Sequence, residues 1–444
     1  MWVQKLTLKN IKCFQDTEIL FAHDKKRRPW TTLLGENGVG KSTILQSLGL
    51  LLAGPEASKE LLPRPTGWVG NPAQLGQLSV IIHQEDNDAG AFGRERVRRA
   101  FSYAYQITGD RPVLVGSQTY TEPAILEKSS DMLSWLRTNA FASRGPGGWF
   151  AAGYSAFRRL TRVSQVLIPS LDQPTRASNF QAQFDEDRAL SSFERWMVYL
   201  DFRQAKDSND VRAKRMREIG EKAITRLLPG TVKIAEVTAT GLIVFEVNGK
   251  QVPTISLSDG FRSVIALSGD LIWRLLQAFP DLDDPTQASG VVLIDELDIH
   301  LHPEWQRKIA GWLREVFPNL QFIVATHSPF VAIGAGEGAL TLRLEVAETG
   351  GIRITESPDL STYDVDRALR SPAFGLKTTF SPQTESRRRE YHELGRRRQA
   401  LDATEREKFK QLELFMKEVR PSEVPPEEGS LDERIVEFLK EQLP

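Results

Sequence analysis

The sequence is poor in cysteine and in long apolar runs, and these absences exclude several classes of protein. Cys13 is the only cysteine among 444 residues, which excludes a disulfide framework and a cysteine-rich zinc site. No apolar run approaches the roughly 18 residues of a membrane span, and the charged first ten residues do not resemble a secretory signal. With 57 Lys and Arg against 58 Asp and Glu, any nucleic-acid contact must come from a local basic patch. We therefore expect a cytoplasmic protein that does not enter a membrane.

A glycine-rich segment lies between a short predicted strand, Thr31 to Leu34, and an apolar stretch that suits a buried helix. Its letters, GENGVGKST, satisfy the pattern G-x-x-x-x-G-K-[ST]. Glycines in such a turn let successive backbone N–H groups point at phosphate oxygens, and the lysine reaches the β- and γ-phosphates. The serine hydroxyl binds Mg²⁺. The candidate nucleotide-binding residues are Gly35, Asn37, Gly38, Gly40, Lys41, Ser42 and Thr43.

Two adjacent carboxylates follow the apolar run VVLI, which is typical of a central parallel strand. Ligands of open α/β sheets bind beyond the carboxyl ends of such strands. Asp295 is therefore predicted to hold Mg²⁺ together with Ser42, directly or through water, and Glu296 to polarise the attacking water. A solvated acidic turn is the plainer interpretation, but the phosphate loop upstream favours the functional one.

Histidines follow both apolar runs of this half of the chain. His327 ends the run QFIVAT, where it can hydrogen-bond the γ-phosphate or the attacking water and so distinguish ATP from ADP. His300 and His302 lie near Asp298 and could suggest a metal cluster, but a third ligand at a suitable spacing is missing. We interpret that stretch as a loop that contacts another subunit beside the nucleotide.

A second candidate anion site lies at SLSDG, where Ser258 can cap a helix of apolar periodicity. Ser258, Asp259 and Gly260 would present a helix N-terminus to a phosphate. Because the chain already has a phosphate loop, this second site is most useful to the ATP of a partner subunit. An ordinary N-cap is the alternative.

The remaining segments differ in character, and we divide the chain into four parts. Residues 1–90 hold the phosphate loop, 91–230 form an inserted and mostly helical lobe, 231–350 hold the second half of the head, and 351–444 form a charged helical tail. Residues 232–252 alternate as antiparallel strands with a tight turn at Asn248-Gly249. The tail contains a linker, PSEVPPEEGS, and a last amphipathic helix with a capping box at Ser430 and Glu433.

These four motifs, in this order, resemble the nucleotide-binding heads of the ABC ATPase superfamily. The closer likeness is to the branch that contains RecF, SMC proteins and overcoming-lysogenization-defect nucleases. The wording LSDGFRS, VVLIDELDIHLHPEWQ and FPNLQFIVATHSP resembles the PtuA family of stand-alone bacterial ATPases, which includes the ATPase of the Septu anti-phage system and retron-associated relatives. The segments GYSAFRRL and FDEDRALSSFERWMVYLDF also resemble that group. The resemblance covers residues 1–335 and weakens in the insertion and the tail.

The resemblance implies an α/β fold: an ABC-ATPase-like P-loop head with a mixed or parallel sheet flanked by helices, a helical insertion and a helical tail. It assigns Gly35 to Thr43 to the Walker A loop, Asp295 and Glu296 to Walker B, Asp298 to the D-loop region, Ser258 to Gly260 to the signature segment and His327 to the switch histidine. Lys41, Glu296 and His327 would be catalytic, with ATP and Mg²⁺ as cofactors. The implied assembly is a head-to-tail homodimer or higher oligomer that closes around ATP. Its implied partner is a nuclease, such as an HNH protein, that acts in phage defence.

Two features depart from the family pattern. The signature reads Ser-Asp-Gly rather than Ser-Gly-Gly, so Asp259 near a γ-phosphate is expected to temper turnover. The Q-loop position has two candidates, Gln84 and the segment GYSAFRR, and the sequence does not choose between them.

Rival functions depend on weaker motifs. Asp364 to Asp366 has the D-x-D form of a Toprim nuclease site, but the expected upstream glutamate is not evident, and Asp364 or Asp366 fits a helix cap better. Arginine clusters at Arg94 to Arg99, Arg212 to Arg217 and Arg387 to Arg398 could meet DNA phosphates or be solvated helix faces. A RecF-like DNA-repair clamp therefore stays the alternative function. A transporter subunit fits poorly, and a small-molecule kinase would need no signature segment.

Overall fold

The computed structural model describes residues 1–23, 26–84, 100–115, 118–141, 149–156, 175–185, 192–228, 232–238, 241–348 and 350–419. The strands are β1 (Trp2–Ile11), β2 (Phe14–Leu20), β3 (Ala22–His23), β4 (Lys26–Arg27), β5 (Trp30–Gly35), β6 (Gly76–His83), β7 (Ala100–Ile107), β8 (Val113–Val115), β9 (Gln118–Tyr120), β10 (Ile125–Glu127), β11 (Phe150–Tyr154), β12 (Lys233–Val237), β13 (Ile243–Val247), β14 (Lys250–Pro253), β15 (Gly290–Ile294), β16 (Leu320–Ala325), β17 (Leu340–Val346) and β18 (Ile352–Glu356). The helices are α1 (Lys41–Ala53), α2 (Pro55–Leu61), α3 (Asp131–Asn139), α4 (Ser178–Phe184), α5 (Ser192–Lys206), α6 (Val211–Leu227), α7 (Asp259–Ala278), α8 (Pro303–Val316), α9 (Pro329–Gly334), α10 (Val365–Arg370), α11 (Pro382–Arg396) and α12 (Ala403–Glu418).

The central sheet of the larger part of the chain has six strands and is mixed. Its strand order is β11-β15-β16-β5-β17-β18, and every neighbouring pair is parallel except β17 with β18. All residues of β15 and β16 are buried, as expected for strands that are covered on both faces. The predicted α/β head with a mixed sheet flanked by helices is confirmed.

The two faces of this sheet belong to separate hydrophobic cores. Successive side chains of a strand point to opposite faces, so Phe322 and Val324 of β16 join one core while Ile323 and Ala325 join the other. Helices α5 to α8 cover the first face. Helix α1 covers the second, together with a five-stranded antiparallel sheet of order β10-β7-β6-β1-β2.

The described part of 91–230 differs from the mostly helical lobe predicted there. It contains strands β7 to β11 as well as helices α3 to α6. Strand β7, AFSYAYQI, alternates between exposed and buried residues with the period of two that a sheet requires. The arginine-rich stretch RERVRR directly before this strand is typical of a helix, and the prediction extended that helix into the strand. The four-part division of the chain stays a prediction.

Residues 232–252 confirm the predicted antiparallel strands. Strands β12, β13 and β14 form a three-stranded antiparallel sheet, and β13 joins β14 through Asn248 and Gly249, with φ of 51° and 76°. Positive φ at both turn residues is the geometry that makes an Asn-Gly turn match the twist of its strands.

The chain forms two compact units. Of the described residues, the larger contains those within 1–368 together with 372–374, and the smaller contains 369–371 and 375–419. Within the smaller unit, α11 and α12 share a core of Leu394, Leu401, Phe409 and Leu412, and a capping box of Asp402 and Glu405 starts α12. The predicted linker at 421–430 and the capping box at Ser430 lie outside the described residues. No helix of the described residues is long and apolar enough to cross a membrane.

Candidate nucleotide site

Three neighbouring strands of the central sheet deliver the predicted motifs to one edge. The glycine-rich segment follows β5, Asp295 and Glu296 follow β15, and His327 lies two residues beyond β16. Since the three strands are parallel and adjacent in the order β15-β16-β5, their carboxyl ends meet. The cleft there has a volume of about 310 Å³ and is lined by Lys12, Cys13, Asn37, Gly38, Gly40, Lys41, Ser42, Thr43, Glu296 and His327.

Two glycines of the phosphate loop have a left-handed backbone, and one of them is also closely packed. Gly38 and Gly40 have φ of 83° and 94°, a region that favours glycine. A Cβ at Gly40 would lie 2.6 Å from the Phe14 ring and 2.9 Å from Sγ of Cys13, whereas a Cβ at Gly38 would meet nothing within 4 Å. The loop therefore packs directly against the turn between β1 and β2.

Lys41 is the buried cation of the cleft. Its Nζ donates to the carbonyl oxygens of Gly35 at 2.8 Å and of Glu36 at 2.9 Å. Burial lowers the pKa of Lys41 below its usual value. The charges of Asp295, Glu296 and Asp298 oppose that lowering of the pKa, because they favour the ammonium form. The Lys41 ammonium is therefore near three carboxylates. A nucleotide phosphate and a divalent cation that bound there would offset each other's charge.

The two carboxylates after β15 are held by backbone bonds to both neighbouring strands. The N–H of Asp295 donates to the carbonyl of Tyr154 at 2.9 Å, and that of Leu297 donates to the carbonyl of Ala325 at 3.3 Å. Between them Glu296 has a φ of 45°. A left-handed glutamate costs conformational energy, and such strain concentrates at functional sites.

Polar side chains connect the loop after Glu296 with the turn that carries His327. The Thr326 hydroxyl donates to Asp298, and Nε2 of Gln306 donates to the carbonyls of Asp298 at 3.1 Å and Leu301 at 2.9 Å. The Ser328 hydroxyl donates to Oε1 of Gln306 at 2.6 Å. These hydrogen bonds connect the His327 turn to the loop at 298–302.

The signature segment lies beside that same loop. Gly260 approaches His300 so closely that a Cβ would lie 2.8 Å from its carbonyl oxygen, and the rings of Phe261 and Trp305 meet edge to face at 4.5 Å. Ser258 is the N-cap of α7, although its side chain makes no capping hydrogen bond. The residues that line the cleft in the described part of the chain do not include Ser258, Asp259 or Gly260.

The two loop histidines have local roles. The N–H of Glu304 donates to Nδ1 of His302 at 3.3 Å, so His302 caps α8. His300 has a φ of 65° and its carbonyl contacts Gly260. Among the described residues, no group of three His, Cys, Asp or Glu side chains could hold a metal ion by itself.

The candidate Q-loop segments lie on different sheets. Gln84 directly follows β6 of the antiparallel sheet. Ser155 directly follows β11, which pairs with the strand that carries Asp295. The GYSAFRR segment therefore reaches the edge of the sheet where the cleft lies, although its last residues, 157–159, lie outside the described part.

The weaker motifs are also accounted for in part. Oδ1 of Asp364 accepts from the N–H of Arg367 at 2.7 Å, so Asp364 caps α10, as the alternative interpretation of the D-x-D motif predicted. Arg215 pairs with Asp283 at 2.9 Å, and Arg217 pairs with Asp201 at 2.6 Å. In the smaller unit, Arg389 pairs with Glu385. Arg94 to Arg99 lie outside the described residues.

Sequence reasoning missed several residues of the cleft. Lys12 and Cys13 line it from the turn between β1 and β2. Nζ of Lys12 lies 4.5 Å from the centre of the Trp68 ring, and burial lowers the pKa of Lys12. Only the tertiary fold brings this turn to the phosphate loop, so no local motif could have revealed it. Gln306, which connects the loop at 298–302 with the His327 turn, was also not predicted. A glutamine in an amphipathic helix has the pattern of an ordinary surface residue.

The chain matches two family models and several known proteins. A family model described as "AAA domain, putative AbiEii toxin, Type IV TA system" matches residues 150–333, which include the signature segment, both carboxylates and His327. A second, described as "AAA domain", matches residues 5–112 with the phosphate loop. "Septu protein PtuA" of Bacillus mycoides (strain KBAB4) is 25% identical over 380 residues, covering 85% of this chain and 45% of that protein. The chain resembles PtuA and the ABC-type AAA ATPases.

Further similar proteins match longer or shorter segments of the chain. "Septu protein PtuA" of Bacillus thuringiensis is 23% identical over 362 residues, which are 79% of each chain. "Retron Vc95 probable ATPase" of Vibrio cholerae serotype O1 biovar El Tor is 44% identical over 100 residues, 22% of this chain and 19% of that protein. A solved SMC head bound to a winged-helix domain of ScpA aligns over 80% of this chain and 97% of its own, with 14% identity and a TM-score of 0.47. The chain spans less than half the length of the B. mycoides relative.

Proposed function

We propose that the chain is an ABC-type, Mg²⁺-dependent ATPase that dimerises around ATP and regulates a partner nuclease in anti-phage defence. The convergence of Lys41, Glu296 and His327 on one cleft is the observation that carries this proposal. A phosphate loop, a carboxylate that can orient water and a histidine that can contact the γ-phosphate are the parts that nucleoside triphosphate hydrolysis requires.

Each group in the cleft has a defined task in this reaction. The loop from Gly35 to Thr43 holds the phosphates through its N–H groups, and Lys41 stabilises the charge that develops on the γ-phosphate. Glu296 orients the water for in-line attack. His327 hydrogen-bonds the γ-phosphate or that water, so that its turn and the loop at 298–302 respond to the state of the nucleotide.

The cleft also fits a magnesium ion. The Ser42 hydroxyl lines it, and Asp295 is near enough for its charge to oppose the lowering of the Lys41 pKa by burial. Hydroxyl and carboxylate oxygens are ligands that Mg²⁺ prefers, alongside the oxygens of the nucleotide. Bound there, the ion would supply charge neutralisation for the β- and γ-phosphates.

The position of the signature segment supports the dimer. Ser258, Asp259 and Gly260 form a helix N-terminus beside the loop at 298–302, outside the described lining of the chain's own cleft. A helix N-terminus attracts anions. In a head-to-tail pair, this segment of one chain would contact the γ-phosphate held by its partner.

The names of the relatives support the biological part of the proposal. Septu and retron proteins are the relatives that this chain resembles, and Septu is an anti-phage system. We propose a separate nuclease partner, such as an HNH protein, because Asp364 caps α10 and no metal-binding group of three His, Cys, Asp or Glu occurs among the described residues. The ion-paired arginines Arg215 and Arg217 give little support to the RecF-like DNA clamp.

The direct test is the size of the Glu296→Gln variant with and without ATP. Because this change leaves the cleft intact but removes the carboxylate that orients water, we expect it to accumulate a nucleotide-bound dimer. Sedimentation velocity measures the size, and Glu296→Gln combined with Lys41→Met is the control that should stay unassociated. If Glu296→Gln keeps the same mass in ATP, the proposed dimer is wrong.

A further inference from the structure

The signature segment carries a negative charge at the position where a phosphate would dock. Asp259 is the first residue of the 20-residue helix α7, and its side chain is 59% exposed. A carboxylate there would repel a partner's γ-phosphate and offset the attraction of the helix N-terminus. The segment therefore needs a compensating charge if it is to bind ATP across the dimer. This inference rests on the proposed function.

Arg262 lies one helical turn after Asp259 and supplies that charge. Its Nη1 is 3.6 Å from Oδ1 of Asp259, and its side chain is only 8% exposed. A guanidinium stays charged at any physiological pH. The geometry is asymmetric: the cation is fixed within the protein, while the carboxylate that it faces reaches solvent beside Ser258.

A second carboxylate, Glu194 in the first turn of α5, is close enough to be affected by the charge of Arg262. Burial raises the pKa of Glu194 in the first turn of α5, and Arg262 acts against that rise in pKa. The charge of Arg262 therefore acts on one carboxylate of the signature segment and on one of the neighbouring helix.

We propose that Arg262 is a positioning residue that neutralises Asp259 and so allows the Ser-Asp-Gly signature to bind the γ-phosphate held by a partner chain. Arg262 does not touch the nucleotide in this arrangement. It acts through Asp259, so the effect of removing it depends on the carboxylate being present.

A double-mutant cycle tests this dependence. In the Glu296→Gln background, we compare the dimer dissociation constant in ATP for Arg262→Gln, Asp259→Asn and the two together. Arg262→Gln alone is expected to weaken association about tenfold or more, since it leaves the carboxylate uncompensated. Combined with Asp259→Asn, the same change is expected to weaken association by about threefold or less. Asp259→Asn alone should associate at least as tightly as the background.

Controls separate this role from a purely structural one. Arg262→Lys keeps the charge and is expected to retain most of the association. Binding of a fluorescent ADP to the chain's own cleft and the unfolding temperature should change little in Asp259→Asn, and they report whether Arg262→Gln is folded.

Three outcomes would overturn the inference, and they distinguish its failure from failure of the dimer proposal. Equal weakening by Arg262→Gln with and without Asp259→Asn, or weakening by Arg262→Lys as severe as by Arg262→Gln, means that Arg262 does not act through the charge of Asp259. Absence of ATP-dependent association in Glu296→Gln itself means that the dimer proposal has failed, and the inference with it.

Discussion

The two inner glycines of the phosphate loop differ in what surrounds them. Both have positive φ, but only Gly40 lies against neighbours that leave no room for a Cβ. Gly40→Ala is therefore expected to displace the Phe14 ring or the loop itself and to weaken ATP binding about tenfold more than Gly38→Ala. Isothermal titration of both variants with ATP measures the difference. Equal affinity losses would mean that backbone strain alone decides the effect.

Glu194 gives the head a predictable pH dependence. Burial raises its folded-state pKa above the usual value of 4.5, so the folded chain binds more protons than the unfolded chain in the window above that value. Stability from this group is therefore lost as pH rises through the folded pKa. Glu194→Gln removes the loss, so its unfolding temperature should exceed the wild type by more at about pH 7 than at about pH 4.

Thermal unfolding across this pH range measures the effect, with exposed Glu218→Gln of α6 as the control. A gap between Glu194→Gln and wild type that stays constant with pH would contradict the assignment.

At the residue scale, sequence was informative where chemistry is local in the chain. Lys41, Glu296 and His327 stand in motifs whose spacing predicts their roles, and one cleft unites them. Lys12 and Cys13 reach the same cleft because the β1–β2 turn packs on Gly40. That contact depends on how the two sheets pack against each other, which no short sequence motif encodes.

At the element scale, a buried polar cluster fastens the signature helix α7 to the sheet. The Tyr154 hydroxyl donates to Oδ2 of Asp270 at 2.9 Å, and Nη2 of Arg274 donates to Oδ1 of Asp270 at 3.2 Å. Nη1 of Arg274 donates to Asn179 of α4 at 2.7 Å. Tyr154 also accepts the N–H of Asp295, so α7 is linked to the carboxylates of the cleft by two successive bonds.

Removing the cation of this cluster should destabilise the head strongly. Asp270 is completely buried, and Arg274→Met would leave its charge unpaired, at a cost of about 3–5 kcal/mol of unfolding free energy. Arg226 of α6 pairs with Glu315 at the surface, so Arg226→Ala is expected to cost about 0–1 kcal/mol. Urea unfolding of both variants measures the contrast. Similar costs for the two variants would contradict this role of Arg274.

Elements with a strong single period were predictable, and mixed segments were not. The all-apolar runs of β15 and β16 and the Asn-Gly turn of β13 and β14 appear where the sequence indicates them. Strand β11 was missed, because the short run FAAGY is small and glycine-containing and has no alternation to distinguish it from a loop. Its pairing with β15 supplies what its own letters lack.

At the scale of the whole molecule, the proposal implies that each ATP depends on two chains. Lys41→Met destroys the cleft of its own chain, and Ser258→Arg destroys the signature that the chain offers to its partner. Each homodimer should then be inactive. In a mixed dimer, one site combines both lesions, while the other combines an intact cleft with an intact signature. Only the mixed dimers hold such an intact site, one in place of the two of a wild-type dimer, so the mixture should recover part of the wild-type ATP hydrolysis.

The matched control is a mixture of Lys41→Met with Glu296→Gln. Both of these changes lie in the cleft, so every site of every mixed dimer has one lesion and no hydrolysis should return. Phosphate release after subunit exchange measures both mixtures. Hydrolysis in the first mixture and none in the second can arise only if cleft and signature come from different chains. If each chain used its own Ser258, both variants of the first mixture would stay inactive in every combination. A first mixture as inactive as its parents would contradict shared sites.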